Sequence, residues 1–521
     1  MTADPRSVAG KSLDISEETE ILIVGAGPAG IAAARRARQG GARVLLVDEA
    51  PVPFEVMAES LPQLWGMRMG GATRNRTAMT EQILTARPAL TELFDEGVDL
   101  RLGTACWGLF ANQANLGWMP GRVAGLVDPD NGSTLVRFEQ AIIATGRRDM
   151  GLAFPGWEQP GVMGAGAALA LARDYGAFDG RVAVMLGTAD EALLAVLGLL
   201  EAGVAVAAVI EQAEQPVGSA ALLGRVVAAG VPVLCAQAPR GVRADIHGVT
   251  GLRLRDREIA CDTILLGIGA VPMIDLVQAA GARCVFSAAR GGFVPQTGTS
   301  GETSLPGIRV AGDCCGIWGA KSADPGIAAA EGRIAAEAAL GTAPEPWPAP
   351  PPGPDIGAYR KEWVRAAVIE ALSDVQICQC EEVTAREILE VRPPRYLAVP
   401  PCPAPRSLTE ILGDGPPQPD QIKRLTRAGM GPCQGRRCRE QIQALLAIAE
   451  RLDLGAVPLA GYRSPVRPVA LSTLAPGAED PAIAAQWDSW FGMPRQWVPF
   501  WEVEEKYTVA ALATERAHVS E

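Results

Sequence analysis

A chain of 521 residues, 48% of them hydrophobic, has material for about three domains with large cores, so disorder is not the default. A net charge of −12 and a pI near 5.0 exclude nucleic acid as the main partner, because phosphate binding needs a concentrated basic surface. The first twenty residues lack a basic start with an apolar core behind it, and no uncharged apolar run reaches the ~20 residues of a membrane span, so neither export nor a spanning segment is expected. Eleven cysteines without an export signal point to reduced thiols, free to act as ligands, and to the cytoplasm.

After a flexible N-terminus (1–19), the apolar run Ile21 to Val24 predicts a buried strand, and Gly25-x-Gly27-x-x-Gly30 follows at once. Glycines so placed allow a tight turn, close approach of the backbone to a pyrophosphate, and tight packing of helix on strand. The helix N-terminus then faces the phosphates. A second strand, Arg43 to Val47, ends in Asp48-Glu49, either of which can accept the hydroxyls of an unphosphorylated adenosine ribose, as in FAD or NAD. Further on, Ala141 to Gly146 is a strand ending in Ala-Thr145-Gly146, and Ile308 to Asp313 is a strand ending in Gly312-Asp313. Both resemble elements of the two-dinucleotide-fold, disulfide-reductase-like flavoproteins. In that group the aspartate holds the ribityl or pyrophosphate region, which favours FAD over NAD as the ligand of the first fold.

A second strand-and-turn start lies about 160 residues on, at Val182 to Gly187, but Thr188-Ala-Asp190-Glu191 stands where its remaining glycines belong. Two carboxylates there repel a pyrophosphate, so this fold is expected to keep its shape and to have lost productive NAD(P)H binding. The predicted architecture is α/β: a first fold over 20–150 and 285–341, with the degenerate fold 151–284 inserted in it. A Pro-rich linker (342–355), a small, mainly helical cluster domain (356–455) and an extended Trp- and Pro-rich tail (456–521) complete the chain.

The cluster domain carries Cys378-x-Cys380 and Cys433-x-x-x-x-Cys438, four thiols in two close pairs. Zinc favours two or three intervening residues, whereas gaps of one and four suit a 2Fe-2S centre in which each iron takes one pair; zinc or plain structural thiols are the alternatives. Arg436, Arg437 and Arg439 interleave with the second pair, either to balance an anionic cluster or as a solvated basic face. Thr384 to Glu387 fits a capping box, and Arg439 to Arg451 reads as an amphipathic helix. Adjacent Cys314-Cys315 read as buried small side chains, and with only His247 and His518 available a histidine-based mechanism is not expected. The dense aromatics between Trp487 and Trp501 read as packing on the flavin domain or as docking on a partner.

Phe154-Pro-Gly-Trp157, Pro160-Gly-Val-Met163, Cys378-x-Cys380-Glu-Glu-Val-Thr384, Thr426 to Gly431 and Tyr462 to Pro468 together resemble the α subunits of heteromeric flavin-dependent amine dehydrogenases. These are of the opine oxidase, D-hydroxyproline dehydrogenase and hydrogen cyanide synthase type, and the resemblance covers most of residues 20–470. The cysteine segment is also similar to bacterioferritin-associated ferredoxin domains. The resemblance implies a separate catalytic β flavoprotein of the amino-acid-oxidase type, a small third subunit in some assemblies, FMN at the interface, and an external electron acceptor. It also implies a position in the cytoplasm, or at the inner face of the membrane through partners. Two features depart from the pattern: PVPFEVMAESLPQ replaces the usual P-x-x-G-G-Q after Glu49, and the 52 residues between the cysteine pairs exceed the usual gap. A self-contained NAD(P)H-dependent reductase and a scaffold without flavin are the competing expectations.

Overall fold

The computed structural model describes residues 17–53, 66–111, 121–128, 132–347, 355–393 and 418–470, with a few isolated positions besides. Residues 54–63 of the segment replacing P-x-x-G-G-Q, residues 396–409 between the cysteine pairs (Cys402 among them), His518 and the aromatic tail lie outside the described residues. One compact unit runs from Ile15 to Val469; a second joins Asp4–Asp14 to Ala470–Glu521 and is almost wholly outside them.

The apolar end of β1 (Glu17–Val24) is buried on both faces, as a strand between parallel neighbours must be. It leads through the glycine turn into α1 (Pro28–Gln39), whose buried face is Ala29, Gly30, Ala33, Ala34 and Ala37. Side chains this small let α1 lie close to helix Pro325–Ala339, where a Cβ on Gly332 would stand 1.9 Å from the Ala29 carbonyl oxygen. The strands β2 (Val44–Asp48), β3 (Asp99–Leu102), β4 (Ala105–Phe110), β5 (Val123–Asp128) and β6 (Gly132–Ile143) complete a sheet of order β3-β2-β1-β6-β5-β4, and Ile308–Val310 pairs with β6. Strands β3, β2, β1 and β6 run parallel, β5 runs antiparallel to β6, and β4 antiparallel to β5. The order reverses beside β1, and in open sheets of this kind the crevice beyond the carboxyl ends of such strands receives ligands.

The second fold is a five-stranded parallel sheet, ordered Val233–Leu234, Ala205–Ile210, Val182–Leu186, Thr263–Leu266, Val162–Gly164. The cysteine-bearing segment shares its core: Trp363, Ile377, Cys378, Ile388, Cys438 and Leu445 pack in one cluster with Trp157, Val184, Leu186 and Ile264. Trp157 is fully buried, and its indole N–H donates to the Gln376 carbonyl at 2.6 Å, two residues before the first thiol. The expected capping box is present, with Thr384 and Glu387 each bonding the other's backbone N–H. The helix read as amphipathic runs Arg439–Ala449 and is buried all round, because its polar side chains are spent on internal partners. Gln441 accepts from the Ala153 N–H at 2.7 Å, and Gln443 donates to the Leu454 and Val457 carbonyls, each at 2.8 Å. Packing continues beyond 455: the Val466 N–H reaches the Trp107 carbonyl, and Arg467 ion-pairs with Glu49. No helix among the described residues is long and apolar enough to cross a membrane.

Candidate functional site

The three glycines of the first turn face three different surroundings. Gly25 has φ 107°, and a Cβ there would lie 2.2 Å from the Ala144 carbonyl oxygen; a Cβ on Gly30 would lie 1.8 Å from the Gly25 oxygen. Around Gly27 nothing stands within 4 Å of where a Cβ would be. The first and third glycines are therefore fixed by packing, and the second keeps space open. Gly27 also caps α1 without any side-chain bond, Pro28 opens the helix, and its first turn holds no acidic residue. The helix N–H groups thus remain for an anion such as a pyrophosphate.

Around this turn stand the other expected nucleotide contacts. Asp48 closes the turn from below, accepting from the N–H groups of Ala26 and Ala50; burial raises its pKa, and those two bonds oppose the rise. Glu49 is engaged by Arg467. The Thr145 hydroxyl donates to the Met273 carbonyl at 2.8 Å, and Gly146, at φ 77°, again has nothing within 4 Å of a Cβ. Gly312 adopts φ 75° and donates its N–H to Glu331, which is paired with the buried Lys321 at 2.6 Å; Asp313 lies 3.4 Å from Arg147. Cys314 and Cys315 are buried in this turn, and burial pushes the Cys314 thiol up to about 11 and Cys315 well above its ordinary value, which makes both inert.

The four thiols of the cysteine segment converge, but their pairing crosses the two loops. Cys378 hydrogen-bonds with Cys438, and Cys380 with Cys433. Cys378 ends the strand Gln376–Cys378 and Cys380 lies in the following turn, so each meets a different cysteine of the second loop. The Cys380 hydrogen bond pulls the Cys433 thiol down to about 5, with help from Arg437, and the Cys438 hydrogen bond lowers Cys378. Among the described residues no three His, Cys, Asp or Glu side chains gather as donors for a single metal ion. Four thiols from two loops, with no other ligand type among them, are a donor set that a 2Fe-2S centre would take at two thiolates per iron. The Gly429 N–H approaches Cys378 Sγ at 3.4 Å, and Gly431 leaves no room for a side chain beside Cys380. The buried amide nitrogen of Gln379, between the first two thiols, has no acceptor among the described residues.

The three interleaving arginines are buried, not a solvated face. Arg436 and Arg439 flank the buried Asp275 at 3.7 and 4.0 Å. Burial alone would raise the pKa of Asp275, but Arg436, Arg148 and Arg439 outweigh it and hold the carboxyl below its usual range. Arg148, which follows the Thr145-Gly146 turn, donates to the Arg436 carbonyl at 2.6 Å and pairs with Glu440 at 2.5 Å. A buried charge network therefore ties the nucleotide side of the first fold to the second thiol loop, a link invisible in either segment alone.

In the second fold the equivalent cleft is filled by the chain itself. Gly187 keeps φ 103°, yet the next N–H, that of Thr188, is taken by Glu211 at 3.1 Å and by the Tyr359 hydroxyl at 3.2 Å. Tyr359 in turn donates to Glu211 at 2.8 Å, and all three side chains are buried. Asp190 and Glu191 occupy the first turn of helix Asp190–Glu201, one bonded to the Ser219 N–H and the other to the Ser322 hydroxyl. The acid ending strand Ala205–Ile210 and the helix carrying Tyr359 were the signals that sequence reading passed over.

Residues 19–335 match the pyridine nucleotide-disulphide oxidoreductase family, and residues 407–478 match the sarcosine oxidase A3 domain. The A-type subunit of opine oxidase from Agrobacterium tumefaciens (strain Ach5) is 30% identical over 501 residues, covering 89% of this chain and 92% of that one. The HcnB subunit of hydrogen cyanide synthase from Pseudomonas aeruginosa is 25% identical over 470 residues, covering 80% of this chain and 90% of the relative. Among solved structures, L-proline dehydrogenase from P. horikoshii shares the fold, with a TM-score of 0.57 at 20% identity over 88% of this chain and 79% of that one. Glycine turn, sheet order and end-to-end similarity agree: the chain belongs to the family of opine oxidase A-type subunits, the α subunits of heteromeric FAD-dependent oxidoreductases built on the pyridine nucleotide-disulphide oxidoreductase fold.

Proposed function

We propose that this chain is the flavin and iron–sulfur electron-transfer subunit of a heteromeric dehydrogenase that oxidises a secondary amine or amino acid to an imine. The substrate class is opine-, hydroxyproline- or glycine-like. Two electrons and two protons leave as the carbon–nitrogen single bond becomes double, and water then hydrolyses the imine. The reading places substrate oxidation on a partner flavoprotein of the amino-acid-oxidase type, with FMN at the interface, a small third subunit in the assembly, and an external acceptor at the end of the route. Bound FAD supplies two-electron chemistry and a bound 2Fe-2S cluster supplies one-electron transfer.

The chain's own residues hold these groups. Gly25, Gly27 and Gly30 shape the pyrophosphate cradle, and the N–H groups at the start of α1 offset its charge. Asp48, which also accepts from the Ala26 and Ala50 N–H groups, or Glu49, which is paired with Arg467, is assigned to the ribose hydroxyls. Thr145, Gly146, Gly312 and Asp313 line the remainder, and Cys378, Cys380, Cys433 and Cys438 ligate the cluster. The observation that carries this reading is a quartet of thiols, three of them buried and Cys380 partly so, in the same compact unit as an uncapped, acid-free helix N-terminus. A self-contained NAD(P)H reductase needs the second cleft, which Tyr359 and Glu211 fill.

The test is made on anaerobically purified protein, co-expressed with its partner flavoprotein. Bound flavin, iron and sulfide are expected, and Cys378→Ser or Cys433→Ser should remove the 2Fe-2S absorption while flavin stays. Zinc in place of iron and sulfide would refute the electron-transfer role, and protein free of flavin would favour the scaffold. A panel of secondary amines and amino acids should bleach the flavin absorbance of the complex, and bleaching by NADH alone on mixing would favour the reductase.

A further inference from the structure

Arg436 and Arg439 flank the Asp275 carboxylate at 3.7 and 4.0 Å. Arg437, between them and 3% exposed, donates from Nη1 to Gln379 Oε1 at 3.3 Å, and Gln379 stands between Cys378 and Cys380. The guanidinium therefore spans from one thiol loop to the other, and all four thiols act on it electrostatically. By holding the amide oxygen, Arg437 also fixes the orientation of the Gln379 amide. The nitrogen of that amide is buried without an acceptor.

Resting on the cluster reading above, we infer that Arg437 and Gln379 set the reduction potential of the centre held by the four cysteines, Arg437 through a buried positive charge and Gln379 through an N–H donated to a cluster sulfur. A 2Fe-2S centre becomes more negative by one charge on reduction. A fixed cation beside it stabilises the reduced state more than the oxidised one, and the effect is strong where water is excluded. Hydrogen bonds to sulfur act in the same direction, and a partner that orients the donor tunes the metal without touching it.

The experiment compares Arg437→Gln, Arg437→Lys and Gln379→Leu with the wild type in the full chain. Midpoint potential is read by EPR-monitored redox titration, and iron, sulfide and flavin are quantified in parallel. Arg437→Gln should shift the midpoint to more negative potential at unchanged iron and sulfide, Arg437→Lys should restore most of the shift, and Gln379→Leu should give a smaller negative shift. Unchanged midpoints at full occupancy in Arg437→Gln and Gln379→Leu would overturn the inference. Equal loss of iron in Arg437→Gln and Arg437→Lys would also overturn it, showing a structural role only. Should Arg437→Gln not assemble, the other two variants carry the same comparison. Wild-type protein without iron and sulfide would overturn the cluster reading itself, an outcome distinct from an intact cluster with an unmoved potential.

Discussion

Alanine at Gly27 and alanine at Gly30 should do opposite things to the same turn. At Gly30 the new methyl would stand 1.8 Å from the Gly25 carbonyl oxygen. That carbonyl cannot yield, since Gly25 is held at φ 107° with its N–H on the Val47 carbonyl at 2.8 Å. Helix α1 must move instead, but Gly332 closes its far side, where a methyl would already stand 1.9 Å from the Ala29 oxygen. Overpacking of this kind costs about 1–3 kcal/mol, and confinement on two sides points to the upper end. At Gly27, φ is −79° and nothing lies within 4 Å, so alanine is free of strain there and gains about 0.4–1 kcal/mol by restricting the unfolded chain. The space it enters is the one we assign to the pyrophosphate. Flavin affinity should therefore fall at least tenfold, about 1.4 kcal/mol, with no loss of fold. Urea midpoints must be taken on deflavinated protein, because bound flavin adds its own stabilisation, and affinity follows from quenching of FAD fluorescence on titration. The reasoning is refuted if Gly27→Ala binds FAD like the wild type, or if it destabilises the apoprotein as much as Gly30→Ala.

The buried network gives further tests. Asp275→Asn leaves Arg436 and Arg439 without their carboxylate and should cost about 3–5 kcal/mol in denaturant unfolding, as removal of one partner from a buried ion pair does; a loss below about 1 kcal/mol would show the network to be inert. Because the folded-state pKa of Asp275 lies below its ordinary value of about 3.8, its contribution is complete above that pH and lost as pH falls through the lowered value. The acid limb of the stability profile should accordingly flatten in Asp275→Asn. Tyr359→Phe removes a donor to Glu211 and an acceptor for the Thr188 N–H, for about 1–3 kcal/mol in thermal or urea unfolding. In stopped-flow mixing, saturating NADH or NADPH should reduce the flavin of the wild type only slowly, and fast reduction would show that the second cleft still admits the cofactor.

The first fold was legible because its signal is local. A strand, three glycines and an acid follow one another between Ile21 and Asp48, and backbone geometry alone fixes what each glycine does. The defect in the second fold was legible for the same reason, as Thr188 to Glu191 stand where glycines belong. What filled the cleft was not, since Tyr359 comes from a segment 171 residues beyond Thr188. Helix Arg439–Ala449 misled as an amphipathic pattern because Arg148 and Ala153, the partners of Glu440 and Gln441, lie nearly 300 residues upstream. The four cysteines were found by spacing, yet spacing could not say which thiol meets which; that depends on a strand ending at Cys378.

The shared core of the second fold and the cysteine segment also sets an order of events during synthesis. The last strand of that fold ends at Leu266, but helix Arg439–Ala449, part of the wall it packs against, emerges about 180 residues later. At roughly 5–20 residues per second, Val184, Leu186 and Ile264 wait roughly ten to forty seconds beside the ribosome with that side uncovered. Such a nascent chain is a natural client for a chaperone that shields apolar surface. A premature stop in the linker would leave the exposed face permanent, and the fragment insoluble, although every residue of both nucleotide folds had been made.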